Sequence, residues 1–143
     1  MLELSDTAQH LLSQAYKRAR GLGQARVEPE HVFLALSDDP SSTSARILAE
    51  AGVDWAGLER VMALTTKEPV DERTPQTAAL RLKRALQSAE KLAGDLNSGA
   101  VTVDHVLFAI VTGDDREATA LLSENGVDAD ALRGRLRETI LSQ

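Results

Sequence analysis

Apolar residues in the first part of the chain recur every three or four positions, which is the spacing of one face of an α-helix. Between Ser5 and Gly23 this stripe contains Ala8, Leu11, Leu12, Ala15, Ala19 and Leu22. Serine is a preferred helix N-cap, and glycine readily ends helices. We therefore predict a helix that starts after Ser5 and ends at Gly21 to Gly23.

Three further helices are predicted in the first half from similar punctuation. Pro29 suits the first turn of a short helix that runs to Ser37. One of the two serines at 41–42 opens the next helix, which ends at Gly52, and Asp54 caps the fourth. Strand-forming residues are sparse, so we expect no sheet of any size.

The second half of the chain repeats the first. A shift of 74 positions superimposes identical residues at Val27, His31, Val32, Ala35, Leu48, Glu50, Gly52, Val53, Asp54 and Leu58. Upstream, a shift of 70 matches Thr7, Ala8, Leu12, Ala15, Ala19 and Leu22, which predicts a four-residue insertion in the loop-like stretch 93–100. The predicted fold is all-α: eight helices form two tandem four-helix repeats with pseudo-twofold symmetry. Repeat one spans 1–65, a linker 66–73 and repeat two 74–143.

The composition is typical of packed helices and disfavours several function classes. Aromatic residues make up 3% of the chain, the net charge is −6 and there are no cysteines. An acidic chain without clustered Lys and Arg is a poor nucleic-acid binder, and the lack of cysteine excludes disulfides and thiolate metal sites. No apolar run of about 18 residues is present. We therefore expect a soluble, cytoplasmic monomer without a cofactor or a nucleic-acid or membrane partner.

Few residues have the pattern of a catalytic or metal site. His31 and His105 occupy equivalent places beside an acid, and this repetition favours buried histidines bonded to the backbone over metal ligands or acid–base groups. The acid pairs 38–39 and 114–115 lie in matching loops and lack the alternating ligands of a calcium loop. No ligand trio has metal spacing, and no activated nucleophile is visible. A small hydrolase that uses His31 with Glu30 is therefore disfavoured.

Several segments resemble the N-terminal domain of the Clp ATPases, which unfold or disaggregate proteins. They are Leu4-Ser5-Asp6-Thr7-Ala8-Gln9, Val27-Glu28-Pro29-Glu30-His31-Val32-Phe33-Leu34-Ala35-Leu36, Ile47-Leu48-Ala49-Glu50-Ala51-Gly52-Val53-Asp54, Val103-Asp104-His105-Val106-Leu107-Phe108-Ala109-Ile110 and Leu121-Leu122-Ser123-Glu124-Asn125-Gly126-Val127. The resemblance covers essentially the whole chain. It implies an eight-helix domain that lies outside an ATPase ring and binds substrates and adaptor proteins. The chain has no Gly-x-x-x-x-Gly-Lys-Ser/Thr phosphate loop, so we expect no enzymatic activity.

The resemblance also implies a ligand site. In family members that recognise phosphorylated arginine, each repeat uses a hydroxyl residue at the start of its first helix and a glutamate at the start of its second. Ser5 and Glu30 occupy these places in repeat one, although an N-cap and a first-turn acid would look the same. In repeat two Asp104 replaces the glutamate, and the shift of 70 puts Pro75 in the hydroxyl place with Thr74 one position away. The implied phosphoarginine or peptide-binding residues are therefore Ser5, Glu30, Thr74 and Asp104, with repeat one better equipped.

Two hypotheses for the function follow from this resemblance. The first is a non-enzymatic docking module that recognises substrates or adaptors for a Clp unfoldase or protease, and the duplication favours it because two related grooves on one body strengthen recognition. The alternative is a free-standing decoy that sequesters Clp-directed ligands or cyclic-peptide antibiotics. A phosphate-loop module encoded downstream would instead make the chain part of an unfoldase.

Overall fold

The computed structural model describes residues 2–64 and 75–142. The helices in these ranges are α1 (Asp6–Gly21), α2 (Pro29–Ala35), α3 (Thr43–Glu50), α4 (Trp55–Leu64), α5 (Leu80–Asp95), α6 (Val103–Thr112), α7 (Arg116–Glu124) and α8 (Ala129–Leu141). A 3-10 turn, Leu36–Asp38, follows α2 directly. Strand structure among the described residues is limited to a parallel pair of two-residue strands, β1 (Arg26–Val27) and β2 (Thr77–Ala78), and one bridge between Leu4 and Val101. The all-α prediction is confirmed, and the predicted linker 66–73 lies outside the described residues.

The predicted helix starts in repeat one follow from their caps. The Oγ of Ser5 accepts a hydrogen bond from the N–H of Ala8 at 3.1 Å, which caps α1. Ser42 caps α3 in the same way, through the N–H of Ala45 at 3.2 Å. Pro29 is the first residue of α2, where its missing N–H leaves no helical bond unmade. Local sequence therefore determines where these helices begin.

The predicted insertion in 93–100 is wrong, because α1 and α5 are related by the same shift of 74 that relates α2 to α6 and α4 to α8. Ser5 and Ala79 are the N-caps of α1 and α5, and Leu22 and Leu96 are their C-caps. A shift of 70 differs from the true register by about one helical turn. It therefore lays a stripe rich in Ala and Leu on itself, and this produced the false match.

The short segment that precedes the first helix of each repeat pairs with the other repeat. The N–H of Ser5 donates to the carbonyl of Val101 at 2.8 Å, and the N–H of Ala79 donates to the carbonyl of Val27 at 2.9 Å. These two bonds are pseudo-twofold counterparts. As a result the start of α1 lies beside the start of α6, and the start of α5 lies beside the start of α2.

One continuous hydrophobic core joins the two repeats, because buried residues from both halves belong to a single packed cluster. Its largest fully buried apolar side chains are Phe33, Leu34, Leu48, Leu58, Leu82, Leu107, Ile110, Leu122, Leu132 and Leu136. The shared core fixes the helix starts of one repeat against those of the other. Within the described ranges, the search for a helix with the length and hydropathy of a membrane span found none.

Candidate functional site

A cavity of about 370 Å³ opens between the start of α1, the 3-10 turn and the start of α6, and we call it the α1 cavity. Leu11, Leu36 and Val103 contribute apolar surface to its wall. Its polar wall residues include Ser5, Thr7, Asp38, Asp39, Ser42, Ser44 and Asp104. The exchange of leading segments places Ser5 of repeat one and Asp104 of repeat two in the same cavity.

Asp104 is the most enclosed acid of the α1 cavity. Its residue is 9% exposed, and its Oδ1 accepts a hydrogen bond from the Oγ of Ser44 at 2.9 Å. The Asp38 carboxylate is already paired with Arg18, whose Nη2 lies 2.5 Å from Oδ1. Asp39 also lines the wall, and none of the described lining residues is a lysine or an arginine. The electrostatic character of this cavity therefore suits a cation.

Glu30 lies in a different place from Ser5. Its carboxylate faces the start of α5, where Arg81 donates from Nη1 to Oε2 at 3.1 Å and from Nη2 to Oε1. Arg81 also donates to Asp115, from Nε to Oδ2 at 2.9 Å and from Nη2 to Oδ1 at 2.7 Å. The prediction that Ser5 and Glu30 form one site within repeat one is wrong, because each repeat supplies its acid to the other repeat's first helix.

Burial and pairing act in opposite directions on this ion-pair cluster. Burial raises the pKa of Glu30 above its ordinary value, even though the hydrogen bonds and the charge of Arg81 act to lower it. For Arg81, burial lowers the pKa, but its hydrogen bonds to Glu30 and Asp115 and their charges outweigh this effect and leave the pKa raised. The guanidinium therefore stays charged inside the cluster.

Repeat two has no hydroxyl group in the position that corresponds to Ser5. The counterpart is Ala79, which caps α5 without a side-chain hydrogen bond, rather than Pro75. Thr74 lies outside the described residues. Sequence reasoning also missed Arg81, because a single arginine early in a helix gives no signal until the acids facing it are known.

The two repeated histidines cap helices instead of facing a cavity. The Nδ1 of His31 accepts from the N–H of Glu28, and the Nδ1 of His105 accepts from the N–H of Thr102, each at 2.9 Å. Both imidazoles are completely buried. No group of His, Asp and Glu with the arrangement of a metal site occurs in the part of the chain that the structure describes. These contacts support the structural interpretation of both residues.

The buried imidazole of His105 gives the fold a predicted pH dependence. Burial lowers its pKa below the ordinary value, while the charge of Asp104 acts to raise it. Since the folded state binds the proton less readily, the contribution of His105 to stability is complete above the unfolded pKa of about 6.5 and is lost as the pH falls from there toward the folded pKa. We expect the free energy of unfolding to decrease below about pH 6.5, measured by urea denaturation.

NMR titration of the imidazole would check this assignment directly. The expected result is a pKa of His105 below about 6.5, and a His105→Asn variant should lose the corresponding part of the pH slope. A His105 resonance that titrates at or above the ordinary value would contradict the prediction.

The chain matches the family model described as Clp repeat (R) N-terminal domain, over residues 3–125 and again over 80–142. Among curated proteins, the chaperone protein ClpB 1 of Nostoc is 27% identical over 143 residues. That match covers 99% of this chain but 16% of the relative, so the chain spans about one sixth of the length of this ClpB.

Solved structures share the fold. The Hsp104 N-terminal domain from Candida albicans superimposes with a TM-score of 0.79 at 20% identity, over 99% of this chain and 93% of that one. A ClpV N-domain in complex with a VipB peptide superimposes with a TM-score of 0.73 at 24% identity, over 98% of this chain and 88% of that one. At these identities the likeness establishes the architecture.

Proposed function

Because the chain belongs to the Clp repeat N-terminal domain family, we propose that it is a non-catalytic docking module for polypeptide substrates or adaptors of a Clp unfoldase. The structure of a related ClpV N-domain with a VipB peptide supports this proposal. The observation that carries it is the α1 cavity, which combines apolar walls with a row of carboxylates at a junction of the two repeats. A cavity of this character accepts a side chain of a docked segment.

The charge of the α1 cavity specifies which side chain it accepts. Asp104 and Asp39 face the same space, and the described lining residues provide no lysine or arginine to oppose them. A guanidinium can donate a pair of parallel hydrogen bonds to a carboxylate, and its stem can lie along Leu11 and Leu36. We propose that an arginine side chain of the docked polypeptide enters the α1 cavity and binds Asp104.

Phosphorylated arginine is the finer version of this proposal. A phosphate could contact Ser5 and the free N–H groups at the start of α1, as helix N-termini bind anions. Asp6, Asp38 and Asp39 lie near the same helix start or wall and oppose its negative charge. We therefore expect unmodified arginine to bind at least as tightly as phosphoarginine.

Calorimetric titration with one short peptide in three forms tests the docking site. The central residue is arginine, phosphoarginine or citrulline, which has the shape of arginine without its charge. Asp104→Asn is expected to weaken binding of the arginine peptide about tenfold or more, because a charge-assisted hydrogen bond contributes about 1.5–3 kcal/mol. Asparagine still accepts the Ser44 hydrogen bond, so the fold should survive.

The matched control is Asp114→Asn, which removes the same charge from an exposed residue of the loop between α6 and α7. It should leave the affinity unchanged. Equal binding of the arginine and citrulline peptides, or equal weakening by both variants, would refute the arginine site. No binding of any of the three peptides would refute docking at the α1 cavity.

A further inference from the structure

Four carboxylates surround the guanidinium of Arg81 at the junction of α2, α5 and α7, and we call this place the acidic pocket. Glu30 and Asp115 accept four hydrogen bonds from Arg81 in total. Glu28 and Glu117 lie farther out, with carboxylate oxygens 3.7 Å and 3.3 Å from Nη1. A cavity of about 150 Å³ adjoins the cluster, so the guanidinium lies at an opening of the fold.

The contacts of Arg81 are those by which proteins recognise a free guanidinium ligand. Glu30 accepts from both Nη atoms, and Asp115 accepts from Nε and Nη2, so each carboxylate forms a fork with the planar group. Such paired bonds specify a guanidinium over an ammonium ion, which has no planar fork. The Arg81 side chain is 23% exposed, and those of Glu30 and Asp115 are 10% and 18% exposed. The pocket is thus largely shielded from water, which strengthens these bonds.

The pseudo-twofold counterpart of Arg81 explains why the two junctions differ. The shift of 74 that relates the repeats places Thr7 in repeat one where Arg81 stands in repeat two. Thr7 lines the open α1 cavity, and its short side chain leaves the space beside Asp104 empty of a cation from that position. Arg81 reaches across the equivalent space to Glu30. One junction is therefore open, and the other contains an arginine of the chain itself.

We propose that the acidic pocket is a guanidinium-binding site whose resident ligand is the side chain of Arg81. Once that side chain is removed, the pocket binds the guanidinium of another molecule. The inference does not depend on the proposed docking function, because it concerns the second junction and is tested through stability. It also implies that an external arginine side chain can enter only the α1 cavity of the unaltered protein.

Chemical rescue of an Arg81→Ala variant tests this inference. The variant is melted with and without methylguanidinium at low millimolar concentrations, where the cation does not act as a denaturant. A ligand that binds only the folded state raises its stability, so we expect a saturable rise in Tm of about 2–4 °C. The unaltered protein should show no such rise, because Arg81 fills the pocket. If the alanine variant does not fold, Arg81→Met, which keeps an apolar stem, takes its place.

Three controls separate recognition from general charge screening. Methylammonium and sodium chloride at the same ionic strength should raise the Tm of the variant less than methylguanidinium does. Arg84→Ala loses the same charge from an exposed position one turn along α5 and should give no rescue. Adding Glu30→Gln to Arg81→Ala should reduce the rescue at least by half. A Tm rise that is equal for methylammonium and methylguanidinium, or equal in the unaltered protein, would overturn the proposal.

Discussion

Replacement of His31 by alanine is expected to reduce the free energy of unfolding by about 3–5 kcal/mol. The imidazole is fully buried, and its Nδ1 accepts from the N–H of Glu28, so Nε2 must carry the proton. Nε2 lies 2.6 Å from the Oε1 of Gln24, whose amide in turn donates to the carbonyl of Met62 at 3.0 Å. Alanine would leave a cavity and remove a partner from both a helix-start N–H and a buried amide. Urea denaturation monitored by circular dichroism measures the loss.

His10→Ala is the matched control, because His10 is exposed on α1. It should change the free energy of unfolding by no more than about 0.5 kcal/mol. A cost below about 1 kcal/mol for His31→Ala would mean that the buried network contributes little and would reopen the question of another role for His31.

Most helix boundaries could be predicted because they depend on nearby residues. Ser5, Ser42 and Pro29 act within three positions of the helices that they start, and the apolar stripes then give the helical period. The same holds for the histidines, since each bonds to an N–H three residues earlier. Features that involve only one helical turn are visible in a sequence without knowledge of the fold.

The composition of the site could not be predicted, because it depends on contacts between the repeats. The repeat pattern suggested that Ser5 and Glu30 would act together, but the leading segments exchange partners and bring Ser5 to Asp104. The register of α5 was also ambiguous, because its N-cap is Ala79, which provides no capping side chain. A helix without a polar cap can be displaced by one turn in a sequence comparison with little loss of matches.

The corrected register changes the interpretation of the asymmetry between the repeats. The sequence suggested that repeat two lacks a good hydroxyl residue, which made its site look merely weak. With Thr7 and Arg81 as counterparts, the difference becomes one of occupancy, because Arg81 occupies the second junction with its own guanidinium. A duplication that began with equivalent junctions thus leaves one of them available to a partner.

Gly52→Ala is expected to destabilise the protein by about 3 kcal/mol or more, because it disturbs the closest backbone approach between the repeats. Gly52 has φ +107°, and a Cβ there would lie 2.7 Å from the carbonyl oxygen of Gly126. The neighbouring carbonyl of Ala51 accepts from the N–H of Asp128 at 2.9 Å, so the two backbones cannot separate without loss of this bond. The measurement is again the free energy of unfolding in urea.

Two other glycine variants separate the clash from backbone strain. Gly126→Ala has a similar φ of +99°, but its Cβ would lie 3.6 Å from the carbonyl oxygen of Gly52, so it should lose only the conformational part, about 1–2 kcal/mol. Gly134→Ala lies within α8 with nothing inside 4 Å of the added Cβ, and it should stabilise the helix by up to about 1 kcal/mol. The difference between Gly52→Ala and Gly126→Ala then measures the cost of separating the repeats at this contact. If the two variants were equally destabilised, the contact would have no role in holding the junctions together, and the positions of Asp104 and Arg81 would depend on the shared core alone.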